Sequence, residues 1–144
     1  MARFQFEVAK MSSADLKLQL EQAVLAGKEF HKLYYEKFDK RRNMLNKLYM
    51  DSATMVWNGN PLQGCEAILK FLDQLPTSEH TIDSLDCQPI PSVVTQGQTS
   101  LMVIVGGRVK FEGTKETFTF TENFMLTTQG GVWKIASDCF RYQE

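Results

Sequence analysis

Histidine is nearly missing from this chain: among 144 residues only His31 and His80 occur, far apart. There is no His-x-x-x-His or Cys-x-x-Cys spacing, which argues against a zinc site. The three cysteines, Cys65, Cys87 and Cys139, are odd in number and widely separated. That usage fits reduced thiols in the cytosol or nucleus rather than a disulfide framework. No nucleophile elbow, P-loop or dinucleotide fingerprint is found, and Gly106-Gly107 is too little for a phosphate cradle. No stretch approaches the roughly 18 apolar residues of a membrane span, and "MARFQFEVAKMSS" lacks the apolar run of a signal peptide. A net charge of −1 supplies no field toward nucleic acid or an anionic membrane. The expectations are therefore no cofactor, no membrane and no direct sequence-specific contact with nucleic acid.

What is present is ordinary globular material, 43% hydrophobic and 23% charged, enough for one core. Residues 1–11 read as a flexible leader and 12–144 as a single domain. Ser12, with Asp15 three residues on, resembles a capping box. Leu16, Leu20, Ala23, Gly27, Phe30, Tyr34 and Phe38 then form one apolar stripe, predicting a helix over about 13–38. Gly27 falls on the stripe, where a missing side chain lets a strand approach. A second, short helix is expected from Asp39, with Met44, Leu45 and Leu48 inward. A strand at 53–57 and a turn at 58–61 follow, then a third helix over 64–75 stopped by Pro76.

From residue 77 the period becomes two, predicting strands at 77–90, 98–113, 116–128 and 132–143. Gly106-Gly107 inside a strand suggests a bulge. Helices first and a strand meander later give an α+β fold, with helices on one face of a curved antiparallel sheet.

Three groups of side chains invite chemistry. His31, beside the helical stripe, reads as a satisfied or solvent-facing histidine rather than a catalytic one. Asp83, Asp86, Glu112, Glu122 and Asp138 lie on strands, and Tyr34, Tyr35, Tyr49 and Tyr142 are hydroxyl donors. An acid–base enzyme in a conical cavity would need one such acid held in an apolar pocket; rim or surface carboxylates are the simpler reading. The basic run Lys37, Lys40, Arg41, Arg42 and Lys47 could meet phosphate or an acidic partner, or merely line a solvated helix.

Strict alternation along 132–143 puts Trp133, Ile135, Ser137, Cys139 and Arg141 on one face. The guanidinium would then share a face with tryptophan and isoleucine. Across the strands, Met102, Ile104, Phe111, Phe118, Phe120, Phe124, Met125, Trp133, Ile135, Phe140 and Tyr142 occupy both parities. Apolar residues on both faces imply that both are covered, the second by a partner subunit.

The segments "KRRNMLNKLYMDSATMVWNGNPLQG", "LDCQPI", "GRVKFEG" and "VWKIASDCFRYQ" closely resemble the p15-type, NTF2-related nuclear export proteins, over nearly the whole chain beyond the leader. The resemblance implies an NTF2-like cone, three N-terminal helices on a strongly curved antiparallel sheet. It implies no enzymatic activity. It implies a heterodimer with the NTF2-like domain of the large mRNA export receptor of the TAP (nuclear RNA export factor) family. That complex carries poly(A) mRNA through the nuclear pore, with Phe-Gly nucleoporins bound mainly by the receptor, and shuttles between nucleus and cytoplasm. By resemblance, Arg141 and Cys139 join the interface, Arg141 pairing with an acid of the receptor, and Ile104 and Asn123 match further interface positions. Trp57, Phe124, Phe140 and Tyr142 would belong to the helix-covered side or the cavity mouth.

Two alternatives share the fold. One is a homodimeric Ran-GDP import carrier, against which stand Asn58 and Thr114, at positions where carboxylates would be expected; Glu112 is kept. The other is a small cavity isomerase or dehydratase.

Overall fold

The computed structural model describes residues 12–91, 94–95 and 97–143. The expected leader lies outside them. Helix α1 runs Ser13–Lys40, and the Ser12 Oγ accepts from the Asp15 amide at 3.1 Å, a forward N-cap. Ala23, Gly27, Phe30, Tyr34 and Phe38 of the predicted stripe are buried. Leu16 and Leu20 are not, because the first turns of α1 stand clear of the core. A Cβ at Gly27 would overlap the Cys87 Sγ and lie 2.9 Å from its Cβ, so the glycine does allow a strand to approach.

The expected second helix is a 3-10 turn, Arg42–Lys47. Asp39 and Lys40 still belong to α1. Leu45 and Leu48 point inward and Met44 is half-buried. Strand β1 (Tyr49–Trp57) and strand β2 (Asn60–Gln63) form a hairpin around Asn58 and Gly59, both at positive φ as a tight primed turn requires. Helix α2 (Cys65–Asp73) follows, then β3 (Ser78–Ile90), β4 (Ser100–Phe111), β5 (Thr117–Gln129) and β6 (Val132–Tyr142).

The six strands lie in the order β2-β1-β6-β5-β4-β3. All neighbours are antiparallel except β1 and β6, which run parallel from Tyr49↔Ile135 to Trp57↔Phe140. The sheet is therefore mixed, not antiparallel as read from the sequence. Parallel neighbours need a long crossover, and here the intervening elements supply it.

Three register shifts shape the described sheet, one of them on the β1–β6 seam between Tyr49 and Thr54, and the other two are bulges. One lies on β3 between Ile82 and Ser84, opposite Gly106-Gly107. A Cβ at Gly107 would collide with the Thr81 carbonyl and come 3.2 Å from the Phe120 ring, so the glycine pair marks the bulge while the extra residue sits on the neighbouring strand. The other lies where Leu126↔Ile135 gives way to Met125↔Ser137, leaving Ala136 unpaired. It reverses the parity of β6. Ile135 is buried and Trp133 packs against the core, beside Asp138, Phe140 and Tyr142. Arg141 does not share their face, which resolves the conflict that strict alternation created.

The helices cover the concave side. Phe124 meets Phe30 and Tyr34 with ring centroids 4.9 and 4.8 Å apart, and Phe140 stacks on Trp57 at 3.8 Å. The end of α1 is tied to β3 by Asp39, which accepts from the His80 amide at 2.8 Å and from Ser78 Oγ at 2.7 Å and bonds His80 Nδ1 at 2.6 Å.

Arg42, from the basic run, serves structure. Its Nη1 donates to the Leu72 and Leu75 carbonyls at 3.0 and 2.5 Å, and its Nη2 to the Pro76 carbonyl at 2.8 Å. The Leu75 and Pro76 carbonyls lie just past the end of α2, and the Leu72 carbonyl also accepts from the Leu75 amide at 3.1 Å, so the guanidinium closes off the helix terminus. We expect Arg42→Ala to cost about 2 kcal/mol of folding stability, the scale of hydrogen bonds from a charged donor. Lysine, without the planar fork, should recover only part. Urea midpoints of the three proteins decide it, and an unchanged midpoint for the alanine variant would refute this capping role.

Candidate functional site

The face of the sheet turned away from the helices is open, and its cross-strand register is continuous. Val56 pairs with Cys139, Cys139 with Asn123, Asn123 with Ile104, and Ile104 with Asp86. One row thus brings together three residues named from the sequence, Cys139, Asn123 and Ile104, all exposed. The flanking row toward the end of β6 runs Arg141, Thr121, Gly106, Ser84. The row on the other side runs Thr54, Ser137, Met125, Met102, Gln88. Arg141 therefore lies one cross-strand pair from the row that holds the other three.

This face is less apolar than the strand sequences suggest. Phe111, Phe118, Phe120, Phe124, Trp133, Ile135, Phe140 and Tyr142 are buried in, or packed against, the core under the helices. Outside remain Met102, Met125, Ile104 at 40% exposure and Val56 at 39%, set among Thr119, Thr121, Asn123 and Ser137. A few aliphatic and methionine side chains within a polar field are the composition of an interface between separately folded chains rather than of a second core. Among the described residues Arg141 has no side-chain hydrogen bond or ion pair, whereas Arg108 is committed to Asp83 by two bonds of 3.0 Å and Arg41 to Glu36 at 3.2 Å. The glycine at 106 keeps the row beside Arg141 flat: a Cβ there would meet the Ser84 Oγ at 2.5 Å.

Trp57, Phe124 and Phe140 are buried and Tyr142 half-buried, all on the helix side. Asn58 has a structural task. Its side-chain Oδ1 accepts from the Tyr142 main-chain amide at 3.3 Å, and its main-chain N–H donates to the Phe140 carbonyl at 2.8 Å, fastening the β1–β2 turn to β6.

The strand carboxylates divide. Asp83, Asp86 and Glu112 are exposed, as a surface reading expects. Glu122 and Asp138 are each 2% exposed and lie in the core among tyrosines, contrary to that reading. Alternation on β5 and β6 could have paired them, had the bulge at Ala136 been visible in the sequence. The tyrosines that reach these acids pack in turn against the Phe30, Phe120 and Phe124 rings.

A long helix and a shorter one laid in the hollow of a bent mixed sheet, with the other sheet face uncovered by any of the described residues, define a cone-shaped scaffold. The sequence pattern of the nuclear transport factor 2 (NTF2) domain matches residues 26–142. The chain is 49% identical to human NTF2-related export protein 2, over 92% of this chain and 96% of that protein. Nuclear transport factor 2 from Cryptosporidium parvum has the same fold, with a TM-score of 0.72, 27% identity and 87% and 95% of the two chains covered. So does a chain of the C. albicans Mtr2–Mex67 M domain complex, with a TM-score of 0.65, 17% identity and 81% and 93% covered. The chain belongs to the NTF2 domain family, among the NTF2-related export proteins.

Proposed function

We propose that the chain is a non-enzymatic subunit of nuclear mRNA export. It pairs through the outer sheet face with the NTF2-like domain of a large export receptor of the TAP (nuclear RNA export factor) family. In that complex it supports binding of Phe-Gly nucleoporins and passage of poly(A) mRNA through the pore, and it shuttles with the receptor between nucleus and cytoplasm. The observation that carries this reading is the exposed row Val56–Cys139–Asn123–Ile104, with Arg141 beside it and without a side-chain partner among the described residues. The reading is supported by relatives that bear the name export protein and by a same-fold chain that was solved as part of a two-protein complex.

An enzyme on this fold is disfavoured because each member of the acid pair it would need is only 2% exposed and is bonded to core tyrosines. A Ran-GDP carrier is disfavoured because Asn58, at a position expected to be acidic, instead fastens a turn. The test is recovery from cells with the tagged chain as bait, together with sedimentation of the purified chain with the receptor domain and with Ran-GDP. A one-to-one complex with the receptor domain is expected. A tight Ran-GDP complex and no receptor would overturn the proposal.

A further inference from the structure

Glu122 on β5 and Asp138 on β6 are buried carboxyls that the outer face does not use. They are diagonal neighbours, since Glu122 pairs with Phe140 and Phe124 with Asp138. Tyr34 and Tyr35 face them from α1, and Tyr49 faces them from β1. Tyr35 Oη donates to Glu122 Oε1 at 2.8 Å, and Tyr49 Oη donates to Asp138 Oδ2 at 2.7 Å. Tyr34 Oη lies 3.4 Å from the same Asp138 oxygen and 2.8 Å from the Tyr49 hydroxyl. The Cys139 thiol is next along β6, on the opposite face. His80 of β3 meets the Tyr35 and Phe120 rings, 4.9 and 5.4 Å between centroids, and its imidazole is bonded to Asp39. Among the described residues no Lys, Arg or His forms an ion pair with either acid.

Each acid therefore has one oxygen served by tyrosine and one, Glu122 Oε2 and Asp138 Oδ1, that is buried with no hydrogen-bond donor among the described residues. The register nevertheless sets the two side chains as diagonal neighbours on one face of adjacent strands, a separation that long side chains span. Two carboxylates are both acceptors and cannot bond to one another unless one carries a proton. Two unpaired anions in a dry core would also repel strongly and lose their hydration.

We propose that Glu122 and Asp138 share one proton, resident on Glu122 Oε2 and donated to Asp138 Oδ1, so that the core holds a single negative charge. Asp138 is the charged member because it faces two tyrosine hydroxyls and Glu122 only one, and hydrogen bonds to an anion favour the anion. Burial, then the Asp138 charge, hold the Glu122 carboxyl well above the ordinary glutamate range. Burial raises Asp138 too, but bonds from Glu122, Tyr49 and Tyr34 pull it back. The protons belong to the pair as a unit.

The sign follows. Above about pH 4.3 an unfolded glutamate gives up its proton, while the folded pair keeps it. The native state then binds more protons than the unfolded state, so stability falls as pH rises through that window until the folded pair itself ionises. Asn123 and Cys139 are the next residues on the same two strands, so the proton sits directly behind the central row of the outer face.

The full chain is unfolded in urea across about pH 5 to 9, wild type beside E122Q, and infrared spectra are recorded at neutral pH. Wild type should show a midpoint that falls with pH and a protonated-carboxyl band at neutral pH. In E122Q the amide supplies the donor to Asp138 Oδ1, so the midpoint should vary less and the band should vanish. Parallel pH profiles, or no protonated-carboxyl band in wild type, would overturn the proposal. Should E122Q fail to fold, D138N serves, because its amide can donate to an ionised Glu122 and the band must again disappear. The wild-type band is decisive without either variant.

Discussion

Arg141→Glu should abolish capture of the receptor's NTF2-like domain while leaving the chain's own unfolding midpoint unchanged. Arg141 is exposed and has no side-chain partner among the described residues, so its folded-state role in the lone chain is small. Surface substitutions away from packing and caps usually lie within about 0.5 kcal/mol. In the proposed complex the guanidinium meets a carboxylate as the face closes. Arg141→Ala would strand that acid without its counter-charge, at a cost of about 2–5 kcal/mol, or roughly 30-fold to several thousandfold in Kd. Glu adds like-charge repulsion to the same loss. Titration calorimetry against the receptor domain reads both variants, with urea unfolding as the control for fold. Wild-type affinity in both would remove Arg141 from the interface. Wild-type affinity in Arg141→Ala with loss only in Arg141→Glu would place it at a solvated rim.

Phe124→Ala should cost about 3–5 kcal/mol of folding stability, the range for emptying a buried aromatic site. Phe124 is fully buried and lies where α1 meets the sheet, with ring contacts to Phe30, Tyr34 and Tyr35. Removing it leaves Tyr34 without one wall, and Tyr34 is hydrogen-bonded to Tyr49, so the neighbours cannot collapse inward without breaking that bond. Against a typical total of about 5–15 kcal/mol the loss is large, and urea unfolding should show it as a fall in midpoint. A cost below about 1 kcal/mol would mean that the helix is held elsewhere, for instance by the Asp39–His80 tie.

Much of this architecture is legible in the sequence because it rests on local periodicity. The stripe from Ala23 to Phe38 specifies α1, and four runs of period two specify β3 to β6. What escapes is set by register. The hairpin turn is plain in "NGNP", but β2 is four residues long with Pro61 at an edge position, where proline is tolerated and no pattern is left to read. The bulge at Ala136 carries no glycine, and without it Trp133 and Ile135 fall on the wrong face. The parallel match of β1 to β6 joins distant segments by backbone alone. For the outer sheet face, resemblance supplied Arg141, Cys139, Ile104 and Asn123 as expected interface positions, and the register shows three of them in one row. The acid pair was hidden because Glu122 and Asp138 meet only through that register, and single carboxylates on strands look like surface residues.

The parallel seam between β1 and β6 has a consequence for how the chain folds. Before β6 docks, β1, β2 and α2 have no pairing to the β5-β4-β3 half of the sheet. Among the described elements β6 is also the last to be synthesised. A nascent chain can therefore preform the hairpin and the β3–β5 meander, but the two halves wait for a single strand that closes a loop from Tyr49 to Ile135. Closing long loops before their contacts reward it is slow. The rate-limiting step in refolding should be the arrival of β6, and a ribosome-bound chain stalled before Val132 should hold two unjoined pieces of sheet.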